Sequence, residues 1–89
     1  MKAIVTVIGQ DTVGIIANVC TLLAANNINI LDISQTVLQD FFTMSMLVDT
    51  SACPLRYEEI NAALNAKGEE MGLSIRIQRA DIFKAMHQI

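Results

Sequence analysis

The sequence predicts an α+β sandwich: a four-stranded antiparallel sheet with two helices on one face. Three observations predict it. Short Ile- and Val-rich runs recur along the chain with the pattern of strands. Two longer segments carry the apolar spacing of helices. Their order is strand, helix, strand, strand, helix, strand, which right-handed crossovers fold into a single sheet ordered fourth, first, third, second.

The elements follow in turn. Ala3 to Ile8 is a strand with both faces buried, central in its sheet. Val13 to Asn26 is the first helix, with Ile16, Val19, Cys20 and Leu23 at i, i+3, i+4 and i+7. Asn26-Asn27 ends it, because Asn tolerates the left-handed cap conformation. Ile28 to Leu38 is the second strand, and its alternation slips at Ile30-Leu31-Asp32, the mark of a bulge. Gln39-Asp40 turns the chain into a third strand, Phe41 to Asp49, with Phe42, Met44, Met46 and Val48 on one face. After Ser51 the second helix starts with Pro54 in its first turn and runs to about Met71. It turns Tyr57, Ile60, Leu64 and Met71 inward; Gly68 weakens its last turn and Gly72 stops it. Leu73 to Arg79 is a half-buried fourth strand. Asp81 to Ile89 forms a short last helix with Ile82, Phe83, Met86 and Ile89 on one side. Residues 1–80 thus make one domain of ferredoxin-like βαββαβ type, and residues 81–89 a helical tail.

Composition narrows the function. Apolar residues make up 53% of the 89 positions and charged residues 17%, which excludes a disordered chain. The net charge of -3 argues against nucleic acid or an anionic membrane as partner. No basic residue lies between Ala3 and Leu55, while Asp11, Asp32, Asp40 and Asp49 do. Any anion held there rests on backbone amides. The 2 cysteines, Cys20 and Cys53, form no C-x-x-C pair, and His87 is the single histidine, so neither a zinc site nor a Cys-His nucleophile is expected. The thiols suit a reduced, cytoplasmic protein, and the chain opens on a strand pattern rather than a signal peptide. No cofactor is expected.

The loop Gly9-Gln10-Asp11-Thr12-Val13-Gly14 between first strand and first helix is the candidate site. On structural grounds alone, Asp11 caps the helix by accepting from the Gly14 amide, worth roughly 1 kcal/mol, and Gly9 permits a close approach. The same geometry suits a ligand. Free amides at a helix N-terminus attract a carboxylate. Gly14 lets the ligand reach the backbone, Asp11 accepts from an ammonium group, and Asn29 both donates and accepts. A carboxylate acceptor beside free amides fits a zwitterion such as an amino acid.

These residues also resemble those of the ACT domain, a small regulatory amino-acid-binding module. The resemblance covers nearly the whole chain and rests on Asp11-x-x-Gly14-Ile15, on Asn27-Ile28-Asn29-Ile30 and on the spacing from Gly14 to Asn29. Asp32-Ile33-Ser34-Gln35-Thr36-Val37 and Phe42-Thr43-Met44 are similar to stretches of small free-standing bacterial and archaeal members. The resemblance implies that Asp11, Gly14 and Asn29, with Thr12, Val13 and Ile15 beside them, contact an amino acid across a subunit interface. Val13 departs from the family pattern, where many members carry proline, and Gly9 stands where some ligand-binding members have a polar side chain.

The expected function is a non-enzymatic regulatory domain that binds an amino acid or related metabolite at a subunit interface and signals to a partner protein. The alternative is an oligomerisation or interaction module without a ligand. An acylphosphatase, which shares the sandwich, needs an arginine in the first loop, and this loop has none. Asp32, Asp40 and Asp49 do not converge on a cation. The second strand, on an edge and free of lysine and proline, is expected to pair with its copy in a homodimer, with Ile15 or Leu22 meeting across the axis. The competing arrangement stacks open sheet faces through Phe41 and Leu47, with the tail as a clasp.

Overall fold

The computed structural model describes residues 2–10 and 13–79. β1 spans Lys2–Gln10, α1 Ile15–Ala25, β2 Asn29–Leu38, β3 Phe41–Asp49, α2 Tyr57–Met71 and β4 Ser74–Arg79. The strands form one antiparallel sheet of order β2-β3-β1-β4, the ferredoxin-like topology expected from the sequence. The expected bulge is present as a register shift between Ile30 and Asp32. The tail helix and the residue 80/81 boundary fall outside the described residues.

Strand alternation gives the sheet two unlike faces. Ala3, Val5 and Val7 of β1, Phe42, Met44, Met46 and Val48 of β3, and Ile75 and Ile77 of β4 are buried. They close on Ile15, Val19 and Leu23 of α1 and on Ile60 and Leu64 of α2. Each such side chain contributes roughly 1.5–3 kcal/mol by leaving water, so this single layer between sheet and helices holds the fold. Among the described residues the opposite face is left open. The register places Ile4, Leu47 and Asp32 in one row across it, Thr6, Ser45 and Ser34 in the next, and Ile8, Thr43 and Thr36 in a third.

The start of α1 differs from the expectation. It begins at Ile15 rather than Val13, because Gly14 has a φ of 89° and cannot join a right-handed helix. The inward stripe is accordingly Ile15, Val19 and Leu23, with Leu22 packed against the core and Ile16 exposed. Ile15 is therefore core rather than a residue left for a dimer contact. Adjacent isoleucines allow two helical registers, and the left-handed glycine selects one.

α2 also begins later than expected, at Tyr57, leaving Pro54 in the preceding loop. The Arg56 backbone N–H donates to Glu59 Oε1 at 2.9 Å, and the Arg56 Nε lies 3.5 Å from the same oxygen. A carboxylate in the first turn satisfies an orphan amide and meets the positive end of the helix dipole. This local chemistry outweighs the preference of proline for a first turn.

Both helices end in the same hydrogen-bond pattern. Ile28 N–H donates to the Leu23 carbonyl and Asn27 N–H to that of Ala24; Leu73 N–H donates to the Gly68 carbonyl and Gly72 N–H to that of Glu69. This is the Schellman arrangement, which requires a left-handed residue at the turn. Asn27 (φ 58°) and Gly72 (φ 72°) supply it. Gly9 lies inside β1 opposite Phe42, and a β-carbon there would collide with the Leu73 side chain. Its role is close approach. Gly68 has the same role in α2, where sequence alone suggested only a weak turn.

Candidate functional site

The N-terminus of α1 is built around Gly14. Its carbonyl accepts the Asn18 backbone N–H at 2.9 Å and the Asn18 Nδ2 at 2.8 Å. Among the described residues no side chain caps the helix, and the helix itself offers no acceptor to the amides of Ile15, Ile16 and Ala17. Asp11 and Thr12 lie outside the described residues, and so does the capping role expected of Asp11; the N-cap is Gly14. Val13 is fully exposed. The Ile15 side chain is core, which leaves its backbone N–H as the part a ligand can meet. Asn18 was not singled out by sequence reasoning. Its signal was an Asn four residues after a loop glycine, where it reaches back to the helix-starting carbonyl. It also borders a groove of ≈ 280 Å³ with Ala17, Thr21, Leu22 and Lys67, whose ammonium lies 3.7 Å from Glu70.

Asn29 lies elsewhere. It opens β2 opposite Asp49, which is opposite Lys2 at the start of β1. Gly14 follows the other end of β1, where Gln10 faces Phe41. The whole of α1, about 16 Å long at 1.5 Å per residue, separates Gly14 from Asn29. The two halves of the candidate site stand at opposite ends of one chain.

Near Asn29, Asp49 Oδ1 accepts from Ser51 N–H at 2.9 Å and Ser51 Oγ at 2.6 Å. These bonds, with the charge of Lys2 adding to them, hold the Asp49 carboxyl below the usual carboxylate range. Asp32 accepts from the Ile33 N–H at 2.9 Å, and Asp40 sits in the hairpin turn. Among the described residues no three His, Cys, Asp or Glu side chains come together as metal ligands.

The third feature is the free edge of β2. Residues 31–38 are all exposed, including Leu31, Ile33 (42%), Val37 (53%) and Leu38 (73%). Gln39-Asp40 forms a two-residue hairpin, with Gln39 at φ 56°. The pair flanking such a turn exchanges both hydrogen bonds, and pairs alternate from there. The backbone groups of Val37, Gln35 and Ile33 therefore point away from β3. Apolar side chains and backbone groups that no described strand pairs share this edge.

A family model for the ACT domain matches residues 2–78. The chain is 51% identical over 89 residues to a UPF0237 protein of Clostridium acetobutylicum, covering 100% of both. It is similar in structure to an ACT domain protein from Streptococcus pneumoniae, at 41% identity and a TM-score of 0.84, covering 98% of each chain. A formyltetrahydrofolate deformylase from Pseudomonas syringae contains a similar unit, at 27% identity and a TM-score of 0.76, over 88% of this chain and 27% of that one. Among the described residues no helix is long and apolar enough to cross a membrane.

Proposed function

This chain belongs to the ACT domain family, and we propose that it is a non-enzymatic regulatory module whose ligand site is shared between two copies. Asp11, the loop through Thr12 and Val13, the Gly14 backbone and the Ile15 amide come from one copy, and Asn29 from the other. The ligand is a free amino acid or a close relative. Its carboxylate meets the uncapped amides of α1, and its ammonium group meets Asp11. Binding biases the association of the two copies, and a cytoplasmic partner protein reads the change.

The observation that carries this reading is the separation of Gly14 from Asn29 by the length of α1. One chain cannot bring the family's contact residues together. Two chains can, if their β2 edges pair antiparallel about a two-fold axis, which sets the α1 N-terminus of one beside the α1 C-terminus of the other. The exposed apolar edge of β2 supports that pairing. That a similar unit forms 27% of a larger chain supports reading the fold as a module.

The test is a thermal-unfolding scan of the protein against the twenty amino acids. A ligand at 100 times its dissociation constant adds about 2.7 kcal/mol of stability, a rise of about 10–20 °C for a domain of this size. One or a few side-chain types are expected to give that rise. Twenty flat responses would leave the alternative, an interaction module without a ligand.

A further inference from the structure

We propose a second ligand site on the open face of the sheet, built around Arg76, that takes a small 2-oxo carboxylate. Arg76 stands directly opposite Thr6 of β1, and Ser74 opposite Ile8. Ser74, Arg76 and Gln78 alternate with the buried Ile75 and Ile77, so all three turn to the open side. With Thr6 and Ile8 they line a depression of ≈ 460 Å³. Directly opposed side chains on paired strands start about 5 Å apart and diagonal ones about 7–8 Å, so the guanidinium, two hydroxyls and an amide can meet on one bound molecule.

The charge pattern chooses the ligand. No described residue forms an ion pair with Arg76. On the same face Asp32 lies three strands away, about 14 Å. Asp49 stands opposite Lys2, four residues along β1 from Thr6. A guanidinium without a carboxylate partner binds a planar anion through two parallel N–H bonds. One cation matches a single negative charge, which favours a carboxylate over a phosphate. Thr6, Ser74 and Gln78 then supply donors for one more oxygen beside the carboxylate. Ile8, 46% exposed, meets a short apolar chain. An ammonium group finds no acidic side chain among the residues that line the depression. The loop before α1 has the reverse pattern, an acid and no base. The two sites therefore separate an amino acid from the oxo acid that shares its carbon skeleton.

The test is an amide NMR titration of the full-length protein, at fixed ionic strength, with 2-oxobutyrate, butyrate and 2-aminobutyrate, which share one carbon skeleton. 2-Oxobutyrate should shift the amides of Thr6, Ile8, Ser74 and Arg76 saturably in the millimolar range, as befits one charge pair on an open face. Butyrate lacks the second acceptor and should bind about fivefold more weakly. 2-Aminobutyrate should leave these amides unmoved. Arg76→Lys should weaken 2-oxobutyrate about tenfold, since an ammonium group cannot make the paired bonds, and Arg76→Gln should abolish its binding. The position is exposed, so both variants should keep the parent's circular dichroism. Arg56→Gln, at an exposed cation before α2, is the control and should change nothing. No saturable shift at these amides, binding that survives Arg76→Gln, or equal binding of the three probes overturns the proposal. An amino acid that moves the Gly14 and Ile15 amides while 2-oxobutyrate moves none would leave the α1 reading standing and overturn this one.

Discussion

Gly68 and Leu73 approach so closely that a β-carbon on the glycine would stand 2.7 Å from the Leu73 carbonyl oxygen. The Leu73 N–H donates to the Gly68 carbonyl at 2.7 Å, so the contact is a hydrogen-bonded junction between α2 and β4. In an exposed helix, Gly→Ala stabilises by about 1 kcal/mol. At this position the sign reverses, because the methyl group meets backbone that cannot yield. Gly68→Ala is expected to destabilise the protein by about 1–3 kcal/mol, measured as a lower urea midpoint at unchanged slope. A stabilised variant would show that the junction is loose.

Ser51→Ala removes the hydroxyl's hydrogen bond to Asp49 and leaves the one from the backbone N–H. The carboxyl titrates below its ordinary value because Ser51 hydrogen-bonds its charged form. A lowered folded pKa stabilises the fold above the unfolded value, about 4, and that contribution is lost as pH falls through the folded value. Ser51→Ala should raise the Asp49 pKa toward the ordinary range in an NMR titration and lessen the loss of stability on acidification. An unmoved titration would assign the shift to the Ser51 backbone N–H and the nearby positive charge instead.

The β2 edge predicts a dimer at micromolar concentration by light scattering. Val37→Pro removes a backbone donor that faces away from β3, so the hairpin survives while edge pairing weakens. The variant should remain folded by circular dichroism and sediment as a monomer. If it is folded and dimerises like the parent, the edge is not the interface and stacked sheet faces become the better arrangement.

Asn18 reaches back to the Gly14 carbonyl at 2.8 Å, which fixes the start of α1. Asn18→Ala is expected to cost about 0.5–1.5 kcal/mol of stability and to weaken amino-acid binding, because the amides of Ile15, Ile16 and Ala17 lose their fixed direction. Substituting Gly14 itself would be less informative. Its φ of 89° strains any side chain, and a β-carbon would come 3.3 Å from Asn18 Nδ2.

Much of the fold was readable because it is written in local chemistry. The strand order follows from element order, the bulge at Leu31 from a slipped alternation, and the end of α1 from two asparagines. What was not readable depends on contacts between distant residues. Nothing local distinguishes Ile15 from Ile16 as the inward residue until Gly14 takes its left-handed angle. Gly68 reads as a weak helix residue until Leu73 is seen against it. Pro54 reads as a helix start until Glu59 is seen bonding the Arg56 amide three residues before it. The site behaves in the same way. Its residue types suggest a zwitterion and the resemblance implies a site shared between subunits, but the placement of Gly14 and Asn29 at opposite ends of α1, which supports that sharing, is a matter of the fold.

The most direct measurement of a shared site is complementation between two inactive variants. Asp11→Ala and Asn29→Ala should each abolish binding of the amino acid that gives the largest thermal shift, because each homodimer then has two defective sites. Mixing equal amounts under exchange conditions produces mixed dimers in which one site receives intact Asp11 from one chain and intact Asn29 from the other. Calorimetric titration of the mixture is expected to recover about a quarter of the parent's binding capacity at the parent's affinity, since half the dimers are mixed and each carries one good site of two. A mixture that binds no better than its components, although subunit exchange is demonstrated, would contradict the shared site.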